Sequence, residues 1–436
     1  MLRLPDGPKI PSLPMDKLLV HGNSPLKGSI NISGSKNASL PILAATLLSD
    51  QPSIIRRVPD VSDTNYMLQI LRALGAEVER SSGTVRSAPS EISPEAPYDL
   101  VRKMRASICV MGPLLTRVGR AKISLPGGCV IGDRPVDLHI KAMQGLGAKV
   151  DMEAGDIVLS APEGLVGGEI DMRGKHGPTV LGTDNLMMAA VLARGTTVID
   201  SAASEPEVVD LADFLVKMGA RISGAGTRRI VIEGVDSLNG VEHTIIPDRI
   251  EAGTFMVAGA MAGQGVTLKR VRADHLAAAT STLQEAGHIV QFNSDGNEVH
   301  ISPGETPRGC DISTGPFPGF PTDMQAQFTA MFATTPGLSV VEDTIFPQRF
   351  MHCSEMKRMG ADIKVDNGRA LIRGVSSLSA APVMASDLRA SAALVLAALR
   401  AHGTTEINRL YHIDRGYENI DEKILQLGGN VERVPD

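Results

Sequence analysis

Residues Met67–Arg80 read MLQILRALGAEVER, and this stretch decides the fold. Its first eight residues carry apolar side chains at helical spacing, Gly75 interrupts them, and Ala76–Arg80 alternates as a strand does. A glycine at a helix end adopts the left-handed turn at no steric cost. The pattern recurs as Leu-Gly-Ala at Gly147, Met-Gly-Ala at Gly219, Ala-Gly-His at Gly287, Met-Gly-Ala at Gly360 and Leu-Gly-Gly at Gly428. Successive glycines are 72, 72, 68, 73 and 68 residues apart. Such regular spacing identifies six copies of one unit.

A second helix, rich in small residues, precedes each glycine by about thirty to forty residues. The six spans expected are Asn37–Leu48, Arg105–Leu115, Thr183–Ala193, Glu251–Ala262, Asp323–Ala333 and Arg389–Ala401. Each leads through a turn into a strand, so the unit reads helix–strand–helix–strand, an α/β repeat. Apolar residues on these helices do not keep to one stripe, which places them inside a shell of strands and other helices. Three units per domain give two similar globules, with the cleft between them as the ligand site.

Composition narrows the function. The 436 residues carry 43 Lys+Arg against 49 Asp+Glu, a net charge of −6, which argues against nucleic acid or an anionic membrane as partner. Aromatics are 3% with no Trp, so the core is aliphatic. Cys109, Cys129, Cys310 and Cys353 are too scattered for a disulfide scaffold. The strongly apolar run Ala390–Leu399 is about half of the ~20 residues a membrane-spanning helix needs. Residues 1–14 hold four prolines and read as a disordered extension, not a secretory signal. These features describe a soluble cytoplasmic protein. The ten histidines are scattered without ligand spacing, and no dinucleotide fingerprint is present, so neither a metal nor an organic cofactor is expected.

The charged residues fall at one phase of the repeat. Asn37, Arg105, Asp323 and Arg389 align at the starts of small-residue helices, and Lys36 precedes Asn37. Cations there oppose the helix dipole unless an anion lies in front of them, where backbone N–H groups also point. A charge-assisted bond contributes roughly 1.5–3 kcal/mol, against ~0.3–1 kcal/mol for a helix terminus. The side chains therefore carry most of the anion binding. Leu125–Asp137 is a Gly/Pro-rich loop holding Cys129, with Arg134 close enough to stabilise a thiolate. Arg349 and Arg415 follow the strands of the last two repeats.

Several segments together resemble the UDP-N-acetylglucosamine 1-carboxyvinyltransferases, a family of enolpyruvyl transferases. They are Ser33-Gly-Ser-Lys-Asn-Ala-Ser-Leu-Pro41, Met104-Arg-Ala-Ser107, Leu125-Pro-Gly-Gly-Cys129, Arg134-Pro-Val-Asp-Leu138 and Pro247-Asp-Arg-Ile250. Phe320-Pro-Thr-Asp-Met-Gln-Ala-Gln327, Arg349-Phe-Met-His352, Asp387-Leu-Arg-Ala-Ser391 and His412-Ile-Asp-Arg-Gly-Tyr417 complete the set. The resemblance runs from about Met15 to the C-terminus. It implies two inverse α/β barrels, one over residues 36–246 and the other combining 15–35 with 247–436, and a Cys129 loop that acts as a lid.

The resemblance further implies transfer of enolpyruvate from phosphoenolpyruvate to the 3′-hydroxyl of UDP-N-acetylglucosamine by addition and elimination. Phosphate is released, and peptidoglycan precursor synthesis begins. Cys129 is then the acid that protonates C3, and it forms a covalent adduct with phosphoenolpyruvate and a target for fosfomycin. Lys36, Arg134 and Arg415 take the phosphate, Arg349 and Arg389 the carboxylate, and Asn37 lies between the two substrates. Asp323 serves as base for the hydroxyl. Arg105, the Arg134–Leu138 run (Pro135, Val136, Asp137, Leu138) and Ile345 hold the nucleotide sugar, while Glu205 and Asp248 lie near the cleft. At Lys175–Thr183 the sequence departs from the family's usual nucleotide-contacting turn, and Thr179 and Val180 are the nearest matches. Three alternatives are a shikimate-pathway enolpyruvyl transferase, which lacks the Leu-Pro-Gly-Gly-Cys lid, an RNA 3′-phosphate cyclase, and a non-catalytic sugar-nucleotide-binding homologue.

Overall fold

The computed structural model describes residues 16–127, 136–175 and 177–435. The expected extension over residues 1–14, and Cys129, Arg134 and Pro135 of the lid, lie outside the described residues. All six junction glycines adopt positive φ, from 84° at Gly428 to 110° at Gly219, and each closes an amphipathic helix before a strand. The local reading of Met67–Arg80 thus holds for every repeat.

The small-residue helices are buried as their composition requires. Leu388–Leu399 is buried at all 12 positions, and Arg249–Ala262 at 12 of its 14. Ala, Gly, Ser and Thr let their backbones approach on several sides; Gly112, for example, has the Asn185 carbonyl 2.5 Å from where a Cβ would sit. The third of these helices runs Val180–Ala190, three residues ahead of the expected span.

Among the described residues five of the six units hold a four-stranded sheet and the second a three-stranded one, not the two strands expected. In the third, Thr196–Asp200 pairs in parallel with the edge strand Glu169–Asp171 and antiparallel with Arg229–Glu233, which pairs in turn with Arg221–Ser223. Five four-stranded sheets have this order, and in the second unit an isolated bridge from Glu95 to Lys122 stands where the edge strand lies elsewhere. Edge strands of two or three residues are too short to show a period in sequence.

Three units also borrow strands from distant sequence. Glu242–Thr244 supplies the edge of the first sheet and Leu26–Asn31 that of the fourth. Asp16–His21 enters the sixth sheet between Thr404–Asn408 and Asn430–Pro435. The buried apolar residues divide into two clusters. One draws on residues from Ala38 to Ile245, the other on Leu18–Ile32 and on residues from Ile250 to Val431. The two chain crossings between them lie side by side: Ser35 N donates to Ile246 O (2.8 Å) and Asp248 N to Ser33 O (2.9 Å). Among the described residues no helix is long and apolar enough to cross a membrane.

Candidate active site

The first turns of all six small-residue helices open on one cleft of about 480 Å³ between the two halves. Lys36–Asn37, Arg105–Ala106, Val180–Leu181, Arg249–Ile250, Thr322–Asp323 and Leu388 each reach its wall. Four of these helices have side-chain caps. Ser35 Oγ accepts from Ala38 N, Thr179 Oγ1 from Gly182 N, Asp248 Oδ1 from Ile250 N and Glu251 N, and Asp387 Oδ1 from Arg389 N and Ala390 N. Helix dipole ends aimed at one volume favour an anionic ligand.

The sequence alignment of the repeats needs one correction. Asn37, Asp323 and Arg389 are each the second residue of their helix, but Arg105 is the first, the phase of Lys36 and Arg249. Arg105 begins a 3-10 turn, Arg105–Val110, without a side-chain cap.

Lys36 and Arg415 meet from opposite halves over one carboxylate that sequence did not single out. Asp63 Oδ1 accepts from Arg415 Nε at 2.9 Å, and its Oδ2 lies 3.4 Å from Lys36 Nζ. Across the cleft Asp323 Oδ1 accepts from Arg349 Nη1 at 2.7 Å, and its Oδ2 is 3.4 Å from Arg389 Nε. Burial by itself raises the Asp323 pKa, but the charges of Arg349, Arg389 and Lys36 outweigh it and hold the carboxyl well below the usual range. Asp343 positions the adjoining loop by accepting from Ile345 N, Phe346 N and Thr322 Oγ1.

Lys36, Asn37, Arg105, Asp137, Leu138, Thr179, Val180, Glu205, Asp323, Ile345, Arg349 and Arg415 all reach the cleft. Three predicted residues among the described ones do not. Arg389 is fully buried behind Asp323, with its guanidinium carbon 5.1 Å from the Tyr417 ring centre. Asp248 is spent as a buried helix cap that also accepts from Lys36 N at 3.1 Å. Val136 caps the helix Asp137–Gly145. The divergent stretch forms a small hairpin, Arg173–Gly174 with Gly177–Pro178, which brings Lys175 to the wall beside Thr179.

The cleft also holds residues that sequence missed. Arg249 makes a two-point salt bridge to Glu207 across the halves, at 2.9 and 3.1 Å. Its agreement in phase with Lys36 is the signal that could have found it. Next to this pair, Ser204 Oγ donates to Phe317 O (2.9 Å), and Glu205 Oε1 accepts from Phe317 N (3.3 Å). His139 is buried, and its Nδ1 lies 3.0 Å from Asn185 Nδ2; burial, with Arg105 nearby, pushes its pKa down to about 3.

A chain from Akkermansia muciniphila described as UDP-N-acetylglucosamine 1-carboxyvinyltransferase is 70% identical over 422 residues, 97% of this chain and 99% of that one. The chain belongs to the UDP-N-acetylglucosamine 1-carboxyvinyltransferase family. A second member, from Methylacidiphilum infernorum, is 55% identical and covers 96% of this chain and 99% of its own length. The broader family described as EPSP synthase (3-phosphoshikimate 1-carboxyvinyltransferase) matches residues 20–424. Among solved structures, the enolpyruvyl transferase NikO from Streptomyces tendae superposes with a TM-score of 0.87 at 26% identity, covering 97% of this chain and all of that one. EPSP synthase from Acinetobacter baumannii shares the fold at a TM-score of 0.75 and 18% identity, over 96% of this chain and all of its own. This is an enzyme family, and the high-identity relatives favour its nucleotide-sugar branch over the shikimate alternative.

Proposed function

We propose that this enzyme transfers enolpyruvate from phosphoenolpyruvate to the 3′-hydroxyl of UDP-N-acetylglucosamine and releases phosphate, in the cytoplasm. The observation that carries the reading is the convergence of Lys36, Arg349 and Arg415 with six helix N-termini on a cleft that also holds Asp323. Phosphoenolpyruvate carries up to three negative charges, and burying it without such partners is prohibitive. Lys36 and Arg415, with Arg134, take its phosphate, and Arg349 and Arg389 its carboxylate end. Arg389 acts through Asp323 until the site rearranges around the donor. Asn37, Arg105, Asp137, Leu138, Thr179, Val180 and Ile345 line the side assigned to the nucleotide sugar, and the family resemblance assigns Pro135 and Val136 to the same ligand. The two apolar clusters support a division into domains 36–246 and 15–35 with 247–436.

In the addition step the 3′-oxygen bonds to C2 of the vinyl phosphate, C3 gains a proton from Cys129, and the hydroxyl proton passes to Asp323. Elimination removes a proton from C3 and breaks the C2–O bond, so phosphate leaves and the enol ether remains. An Asp held so far below its ordinary pKa is a weak base. It accepts the proton only after cationic character at C2 has made the hydroxyl acidic, so carbon–oxygen bonding runs ahead of proton transfer. Phosphate release measured with phosphoenolpyruvate tests the assignment. Release is expected with UDP-N-acetylglucosamine and not with shikimate-3-phosphate. Dependence on the shikimate ester would reverse it, and no release with either would leave a binding protein.

A further inference from the structure

We propose that Asp63 is a positioning residue that sets the spacing between Lys36 and Arg415, the cations assigned to the donor's phosphate; this rests on the site reading above. Asp63 is 2% exposed and uses one carboxylate oxygen for each cation, at 2.9 Å to Arg415 Nε and 3.4 Å to Lys36 Nζ. The three groups have separate supports. Lys36 starts a core helix, Asp63 lies in the first turn of the amphipathic helix Ser62–Ala73, and Arg415 belongs to the other half of the molecule. The carboxylate is itself held in place. The helix dipole favours a negative charge in that first turn, and Thr64 Oγ1 fastens the turn by donating its one proton between Pro59 O (2.7 Å) and Val61 O (2.9 Å).

The contact continues along the backbone. Ser62 N donates to Asp414 O at 2.9 Å, so neighbouring residues on each side form two rungs between the halves. Lys36 and Arg415 repel each other, and the carboxylate between them keeps both charged heads facing one point. A phosphate with oxygens to spare can then contact both without first assembling them.

Charge and position predict opposite signs, which makes the role testable. If Asp63 only diluted the positive field, its removal would tighten phosphoenolpyruvate binding. If it positions the cations, removal weakens it. In the full-length Asp63→Asn protein the KM for phosphoenolpyruvate is expected to rise roughly tenfold or more, the loss of one charge-assisted bond. The KM for UDP-N-acetylglucosamine should stay near wild type, and Asp63→Glu should recover part of the loss. Calorimetry with inorganic phosphate alone should show weaker binding to Asp63→Asn. An unchanged or lower KM for phosphoenolpyruvate overturns the proposal, as does an equal rise in both KM values. If Asp63→Asn does not fold, Asp63→Glu decides by the same split. The phosphate titration keeps the two readings apart. A wild-type protein that binds phosphate but releases none from phosphoenolpyruvate would refute the proposed function and leave Asp63 still to be judged by its variant.

Discussion

Asp323 and His139 are driven down in pKa by different surroundings. Two guanidinium groups hold Asp323 ionised, so Asp323→Asn is expected to lose turnover by about two to four orders of magnitude, the usual reach of acid–base catalysis. It should keep most nucleotide-sugar affinity by calorimetry. Cys129→Ser should abolish the thiol adduct, read by mass spectrometry after incubation with phosphoenolpyruvate, and cut turnover severely. His139 is neutral because burial penalises its charged form. Between about pH 6.5 and its folded value of about 3, the unfolded chain takes up a proton that the native site refuses, so stability falls as pH drops through that window. The slope is up to ~1.4 kcal/mol per pH unit. Urea titrations from pH 7 to 4 should show this loss, and His139→Asn should make it shallower. At this scale sequence reveals what lies in a local motif, as Lys36 and Asn37 do. It hides partners joined over distance. Asp63 meets Lys36 across 27 residues and Arg415 across 352, and Glu207 meets Arg249 across 42.

The helix–glycine–strand junction is the most legible element because one backbone requirement repeats six times. The junctions nonetheless differ in surroundings. A Cβ on Gly360 meets nothing within 4 Å, so Gly360→Ala carries only the left-handed backbone penalty, ~1–2 kcal/mol. A Cβ on Gly75 lies 2.0 Å from the Glu91 carbonyl oxygen, so Gly75→Ala must also displace backbone. Denaturant midpoints should rank wild type above Gly360→Ala above Gly75→Ala. The small-residue helices were legible from the loss of an apolar stripe. The edge strands were not: Ile312–Ser313 has two residues, and Glu242–Thr244 and Leu26–Asn31 serve units to which they are not adjacent in sequence.

Across the whole molecule, several contacts join the halves, among them Asp63–Arg415 and the Ser204–Glu205 grip on Phe317. Replacing both Ser204 and Glu205 by Ala removes that grip while leaving Arg249–Glu207 in place. Small-angle scattering should then show a more expanded unliganded protein, and the KM for the nucleotide sugar should rise several-fold; identical scattering curves would deny the grip any part in closure. The strand Asp16–His21 has a further consequence. Its partners in the sixth sheet lie some 383 residues later in the chain and are synthesised long after it. At the usual 5–20 residues per second it waits roughly 20–80 s with both edges unsatisfied. The half built around residues Ala38–Ile245 can collapse in that interval. Nascent chains stalled before residue 404 are therefore expected to hold one finished globule and one adhesive ribbon, a natural client for a chaperone during translation.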